Sequence, residues 1–155
     1  MNWRATMTVL GLFVLAIPSI GAAQEKKISR KDLPAAVEKT VAEQANGATV
    51  SGFSTELENG KRVYEAEFKV NGHSKDILMD ANGKIIEIEK EVAIDSLSAN
   101  VKAGLTNLAG AGTITRVESL TKSGKLVAYE AVVKTGTKRS EVQVGPDGQK
   151  LTHPE

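Results

Sequence analysis

Only two histidines, His73 and His153, and no cysteine are available for nucleophilic or metal chemistry in this chain. His73 directly follows an Asn-Gly pair, and His153 stands among the last three residues. Neither has a local partner at metal-ligand spacing, so both read as solvated side chains. Without thiols there is no cysteine nucleophile and no thiolate metal site. Serines occur, but no Gly-x-Ser-x-Gly elbow does. A Ser-His-Asp triad would have to recruit a hairpin-tip or terminal histidine. The glycines in Ala109-Gly110-Ala111-Gly112 do not match a phosphate-binding loop following a strand. The sequence therefore predicts no catalytic residue, no resident metal and no cofactor.

Carboxylates are the remaining chemistry, and a strand register would be what gathers them. Asn-Gly is the preferred pair for a two-residue type I′ hairpin. A turn at Asn71-Gly72 places Phe68 opposite Lys75, Ala66 opposite Ile77 and Tyr64 opposite Met79. A turn at Asn82-Gly83 places Met79 opposite Ile86 and Ile77 opposite Ile88. Both registers put Tyr64, Ala66, Phe68, Ile77, Met79, Ile86 and Ile88 on one face, an agreement that a one-residue slip would destroy. The opposite face then carries the rows Val63–Asp80–Ile85, Glu65–Leu78–Glu87 and Glu67–Asp76–Glu89.

Those rows gather carboxylates around Leu78. Glu65, Glu67, Asp76, Leu78, Glu87 and Glu89 are the candidate partner face. One reading is a surface that docks a basic partner or weakly binds a divalent cation such as calcium. Parallel side chains on a sheet converge poorly on one ion, which disfavours the cation. The other reading is a solvated sheet face, relieved by Lys69, Lys84 and Lys90 and by salt.

The elements that would position this face come as a duplication. At an offset of about 64, Leu33, Val37 and Val41 align with Leu97, Val101 and Leu105, and Gly60-Lys61 with Gly124-Lys125. Tyr64-Glu65-Ala66 matches Tyr129-Glu130-Ala131 one residue later. Each copy reads as a helix followed by strands. Asp32 is the expected N-cap of the first helix, with Pro34 in its first turn and Asn46-Gly47 as its stop. The second helix carries Gly104 in its interior and is expected to be weaker. Turns at Gly136-Thr137 and Asp147-Gly148 align Tyr129 with Val144 and Leu151, and Ala131 with Val142. A less regular strand precedes each meander, near Thr49–Leu57 and Thr113–Leu120. Rows Ala128–Gly145–Lys150 and Glu130–Gln143–Thr152, with Val132 opposite Glu141, make the second outer face far less acidic; Lys134 and Arg139 are close by. The expected fold class is α+β: two tandem repeats, each a helix packed on an antiparallel three- to four-stranded meander.

Residues 1–23 read as a signal peptide: Arg4, the apolar run Val9–Ile17, Pro18, and small residues at Gly21-Ala22-Ala23. The apolar run falls short of the about 20 residues needed to span a bilayer. No membrane insertion is expected after cleavage, and no Cys follows for lipid attachment. Removing this segment takes one Arg and no acid, leaving 19 basic against 19 acidic residues. That neutral balance argues against a nucleic-acid binder. Exported chains often use disulfides, but here packing alone must hold the fold. The remaining boundaries are a flexible lead-in at 24–31, a first repeat at 32–92 and a second at 93–155.

The helix opening Asp32-Leu33-Pro34-Ala35-Ala36-Val37, the strand Val63-Tyr64-Glu65-Ala66-Glu67-Phe68, and Met79-Asp80-Ala81-Asn82-Gly83-Lys84 resemble the PepSY-like family of exported bacterial proteins. That group is similar to the β-lactamase-inhibitor-protein fold, and the resemblance covers nearly all of 32–155. The second copy departs from it at Leu97-Ser98-Ala99-Asn100-Val101 and at Gly145-Pro146-Asp147-Gly148. The resemblance implies a non-enzymatic periplasmic or extracellular binding module, with inhibition of a protease or hydrolase a proposed role. It implies no known ligand and no catalytic residue. The expected function is thus an exported module that binds or regulates an envelope or secreted protein through its open sheet face. The alternative is a structural or cation- or small-ligand-sensing envelope protein without a fixed partner.

Overall fold

The computed structural model describes residues 25–155. The expected signal peptide lies outside the described residues. Eight strands form one continuous antiparallel sheet in sequence order: β1 (Lys26–Lys27), β2 (Thr49–Glu58), β3 (Lys61–Val70), β4 (His73–Asp80), β5 (Ile85–Glu91), β6 (Thr113–Lys122), β7 (Lys125–Thr135) and β8 (Lys138–Val144). Helix α1 (Ala35–Gln44) lies between β1 and β2 in sequence, and α2 (Ala99–Ala109) between β5 and β6.

This corrects the expected fold class. The chain is mostly β, with two short helices on a single eight-stranded sheet, and not two tandem helix-on-sheet repeats. The cause is β5. A strand left at the edge of a four-stranded sheet would expose a row of unpaired N–H and C=O groups. Here β5 pairs with β6 from Glu87↔Lys122 to Glu91↔Glu118, so the backbone ladder runs through. The segments expected to be irregular are full ten-residue strands, β2 and β6, each with one bulge near its start.

Both helices pack on the same side of the sheet. Val37 and Val41 of α1 bury against Phe53, Ala66, Phe68, Ile77 and Met79. Val101 and Leu105 of α2 bury with Leu97 against Val117, Ala131 and Val144. Strand alternation sends the intervening residues to the other face, called the outer face below.

Helix starts differ in detail from the sequence reading. Asp32 does not cap α1. It closes a 3-10 turn at Arg30–Asp32, where its carboxylate accepts from the backbone N and hydroxyl of Ser29. Pro34 takes the N-cap position of α1. In α2, Ser98 Oγ accepts from Val101 N at 3.3 Å. The interior glycine of α2 has a packing reason: a Cβ on Gly104 would sit 2.1 Å from the carbonyl oxygen of Gly148.

The first hairpin register is the observed one, with Tyr64↔Met79, Ala66↔Ile77 and Phe68↔Lys75. Asn71 and Gly72 both have positive φ, as a type I′ turn requires. The second hairpin slips by one residue at its tip. Ile77 pairs with Ile88 as expected, but Met79 pairs with Ile85 instead of Ile86. Asp80 Oδ1 accepts from Asn82 N and Lys84 N, and Gly83 N donates to Asp80 O. Those bonds build a longer turn with only Gly83 left-handed, and the extra residue appears as a bulge between Leu78 and Met79. At the far end, Tyr129↔Val144 and Ala131↔Val142 are as expected. The strand expected around Leu151 is reduced to a bridge between Val144 and Lys150, which replaces the predicted Val144–Leu151 alignment.

Candidate binding face

The register places Glu65, Leu78 and Glu87 in one row across β3, β4 and β5, and Glu67, Asp76 and Glu89 in the next. All six residues predicted for the face therefore stand together on the outer side. None is fully exposed; each is partly buried. Neighbouring rows shield one another, with Val63 and Leu120 buried on the same face. A freely solvated set of carboxylates is not what these residues form.

Burial dominates the electrostatics. The Asp76 carboxyl is pushed up to about 7, first by loss of water and then by the charges of Glu65, Glu118 and Glu67. Glu89 is pushed up to about 9, again by burial first, with Glu87, Glu130 and Glu118 adding repulsion. Glu65 is raised by burial, against which the hydroxyl of Ser54 works by donating to its Oε2 at 2.7 Å. Glu130 is raised too, although Gln143 Nε2 donates to its Oε2 at 2.8 Å.

The face extends past the predicted six. Glu118 of β6 is only 1% exposed, and one carboxylate oxygen from each of Asp76, Glu89 and Glu118 lies within 4.8 Å of the others. Glu118 and Glu130 are directly opposed in the β6–β7 register. Arg116 Nη2 lies 3.2 Å from Glu118 Oε2, and the hydroxyl of Ser74 is 3.1 Å from Glu118 Oε1. Sequence reasoning missed Arg116 and Glu118 because β6 carried no Asn-Gly pair to fix its register. Pairing between β5 and β6, which brings Glu118 beside Glu89, has no local signal at all.

A second group, Glu25, Glu65 and Glu67, is already bridged by a cation. Lys27 of β1 forms ion pairs with Glu67 and, at 3.0 Å, with Glu25. Its residue pairs with Ser54 at the sheet edge, so an extended segment delivers the ammonium onto the outer face. Farther along, Lys122 sits 3.4 Å from Glu87 Oε2 and 3.6 Å from Glu155 Oε2.

His73 is exposed but not solitary: its Nδ1 lies 3.0 Å from Glu91 Oε1. Glu91 also accepts from Ser74 N at 3.0 Å, and the imidazole and that backbone bond hold its carboxyl down at about 2. His153 is exposed near the chain end.

No family model matches this chain, and no curated protein matches it either. Solved structures do. A DUF2874 family protein from Bacteroides ovatus is 18% identical, with 77% of this chain and 85% of that chain covered and a TM-score of 0.58. A protein from Bacteroides eggerthii, provisionally described as periplasmic, is 15% identical over 77% of this chain and 86% of that one, with a TM-score of 0.61. A BLIP-like protein from Bacteroides fragilis is 19% identical over 75% and 81%, with a TM-score of 0.53. At these identities the likeness is one of fold: the chain shares the fold of DUF2874 and BLIP-like proteins.

Proposed function

We propose that this protein is an exported, periplasmic, non-enzymatic binding module that docks a basic segment of an envelope or secreted protein on its outer sheet face. The observation that carries the reading is Lys27. An extended segment of the chain itself already lays an ammonium between Glu25 and Glu67, which is how a basic partner strand would be received. Burial and mutual repulsion hold Asp76 and Glu89 above the usual carboxylate range, so a partner's cation placed there would favour their ionised forms. Steering by such a face raises the encounter rate with basic partners and suppresses acidic ones. Regulation or inhibition of that partner is the corresponding biological role, as the PepSY-like resemblance implies. The neighbour provisionally described as periplasmic agrees with the export expected from residues 1–23.

Charge reversal tests this. The mature protein and a Glu65→Lys, Glu67→Lys, Glu87→Lys variant, both verified as folded by circular dichroism, would be used to capture partners from the envelope fraction. A protein retained by the first and lost by the second is expected. Equal capture by both would remove the outer face from the reading.

A further inference from the structure

At its β6–β8 end the outer face carries Arg116, Lys134 and Arg139 along a cleft. Lys138 borders the same cleft from the β7–β8 turn, where its register partner Thr135 is on the helix side. Register sets Lys134 directly opposite Arg139 and Thr135 opposite Lys138, while Arg116 lies opposite Val132. Like charges directly opposed on adjacent strands repel. Among the described residues the ion pairs on these four cations reach only the arginines. Arg116 faces Glu118, and Arg139 Nη2 lies 3.9 Å from Glu141 Oε1. Lys134 and Lys138 are exposed.

These four cations border one cleft of about 360 Å³, with Thr115 on its wall and buried Val132 within it. The bulge in β6 accounts for the placement. Its register shifts between Ile114 and Arg116, so Thr115 is the extra residue and Arg116 is re-aimed across the strands. The bulge in β2 falls between Val50 and Gly52. There the following residue is a glycine, and a Cβ on it would meet the Glu67 carboxylate at 3.0 Å. One bulge makes room for a carboxylate; the other projects a guanidinium.

We propose that this cleft is an anion site for a compact, phosphate-type oxyanion carrying about two negative charges. The charge follows from the balance, since two of the four cations face carboxylates and two do not. The size follows from the volume, which is at the low end of the about 300–1,000 Å³ of small-molecule pockets. The planar fork of Arg139 suits two oxygens of one phosphate, and the ammonium groups of Lys134 and Lys138 supply point charge. The cleft adjoins the carboxylate face through Arg116, which also reaches Glu118, but it does not depend on a basic partner binding there.

Nitrogen–proton NMR of the mature protein would test it, with inorganic phosphate and pyrophosphate as probes at constant ionic strength. Saturable shifts are expected at the amides of Thr115, Lys134, Thr137 and Arg139, with acetate giving none. A Lys134→Gln, Lys138→Gln variant with an unchanged melting temperature should bind pyrophosphate at least about tenfold more weakly. Vesicles of phosphatidylcholine with and without phosphatidic acid identify the source. Binding of both free and lipid phosphate supports a headgroup ligand, and binding of free phosphate alone supports a soluble ester. Absence of shifts at millimolar pyrophosphate would overturn the site. So would a double variant that binds as well as the parent, or binding of an oligo-aspartate peptide without pyrophosphate.

Discussion

The hydroxyl of Ser74 reaches Glu118 Oε1 at 3.1 Å, joining β4 to β6 across the strand between them. The Ser74 hydroxyl oxygen also lies 3.2 Å from Glu91 Oε2, and Glu91 is directly opposite Glu118 in register. Ser74 thus stands between two carboxylates at the one strand pairing that makes the sheet continuous. A buried charged group that loses a hydrogen-bond partner costs about 1.5–3 kcal/mol. Ser74→Ala should destabilise the protein by that amount in urea unfolding, with the m-value unchanged. A loss below about 0.5 kcal/mol would show that Glu118 is satisfied without it.

Glu89 and Asp76 set the pH profile. Their folded values are raised, so the folded state keeps protons that the unfolded chain has released. Below pH 4.5 both states hold the Glu89 proton and its burial carries no charge penalty. Stability should then decline as pH rises toward about 9, with Asp76 contributing its share between 3.8 and about 7. Glu91 acts oppositely, and its contribution is lost as pH falls from 4.5 toward about 2. Glu89→Gln should therefore raise the melting temperature at pH 8 by about 3 °C or more and change it little at pH 4. Equal shifts at both pH values would contradict a buried, protonatable Glu89.

Gly104 costs α2 helical propensity, about 1 kcal/mol relative to Ala. In an isolated helix Gly104→Ala would therefore stabilise. Here the new Cβ would sit 2.1 Å from Gly148 O and 3.1 Å from Val144 Cγ1, and the first contact is with backbone. Overpacking of that kind costs about 1–3 kcal/mol. The substitution should lower the denaturation midpoint, and a raised midpoint would mean that the Gly148 turn can move away.

Which parts of this architecture could be read in advance follows from where their determinants lie. The register at Asn71-Gly72 was legible because both turn residues adopt positive φ and leave two-residue geometry as the outcome. Asn82-Gly83 looks identical in sequence, yet Asp80 two residues earlier captures the turn and shifts Met79 onto Ile85. Asn59-Gly60 makes the same positive-φ pair between β2 and β3 and could have fixed the β2 register. Pairing of β5 with β6 was not legible, since an edge strand's choice of partner is not written in its own pattern. That choice turned two expected units into one sheet and brought Glu118 to Asp76 and Glu89. Partial burial of the face also escaped the sequence reading, because alternation tells which side a residue faces and not how deeply its neighbours cover it.

Lys27 offers a test that separates the stability of the face from its binding. Its ammonium is mostly exposed, with a side-chain accessibility of 66%, so its pairs with Glu25 and Glu67 contribute below about 1 kcal/mol. Lys27→Met keeps the stem that lies along the sheet edge and removes only the charge. Glu67 is then left without its cation and can be claimed by another. Restoring one negative charge to a partly screened site should tighten a pentalysine peptide about two- to tenfold at low salt, with the gain fading near physiological ionic strength. Thermal stability should fall only slightly. Unchanged or weaker pentalysine binding by a folded Lys27→Met protein would mean that Lys27 organises the face instead of occupying a place that a partner's cation could take.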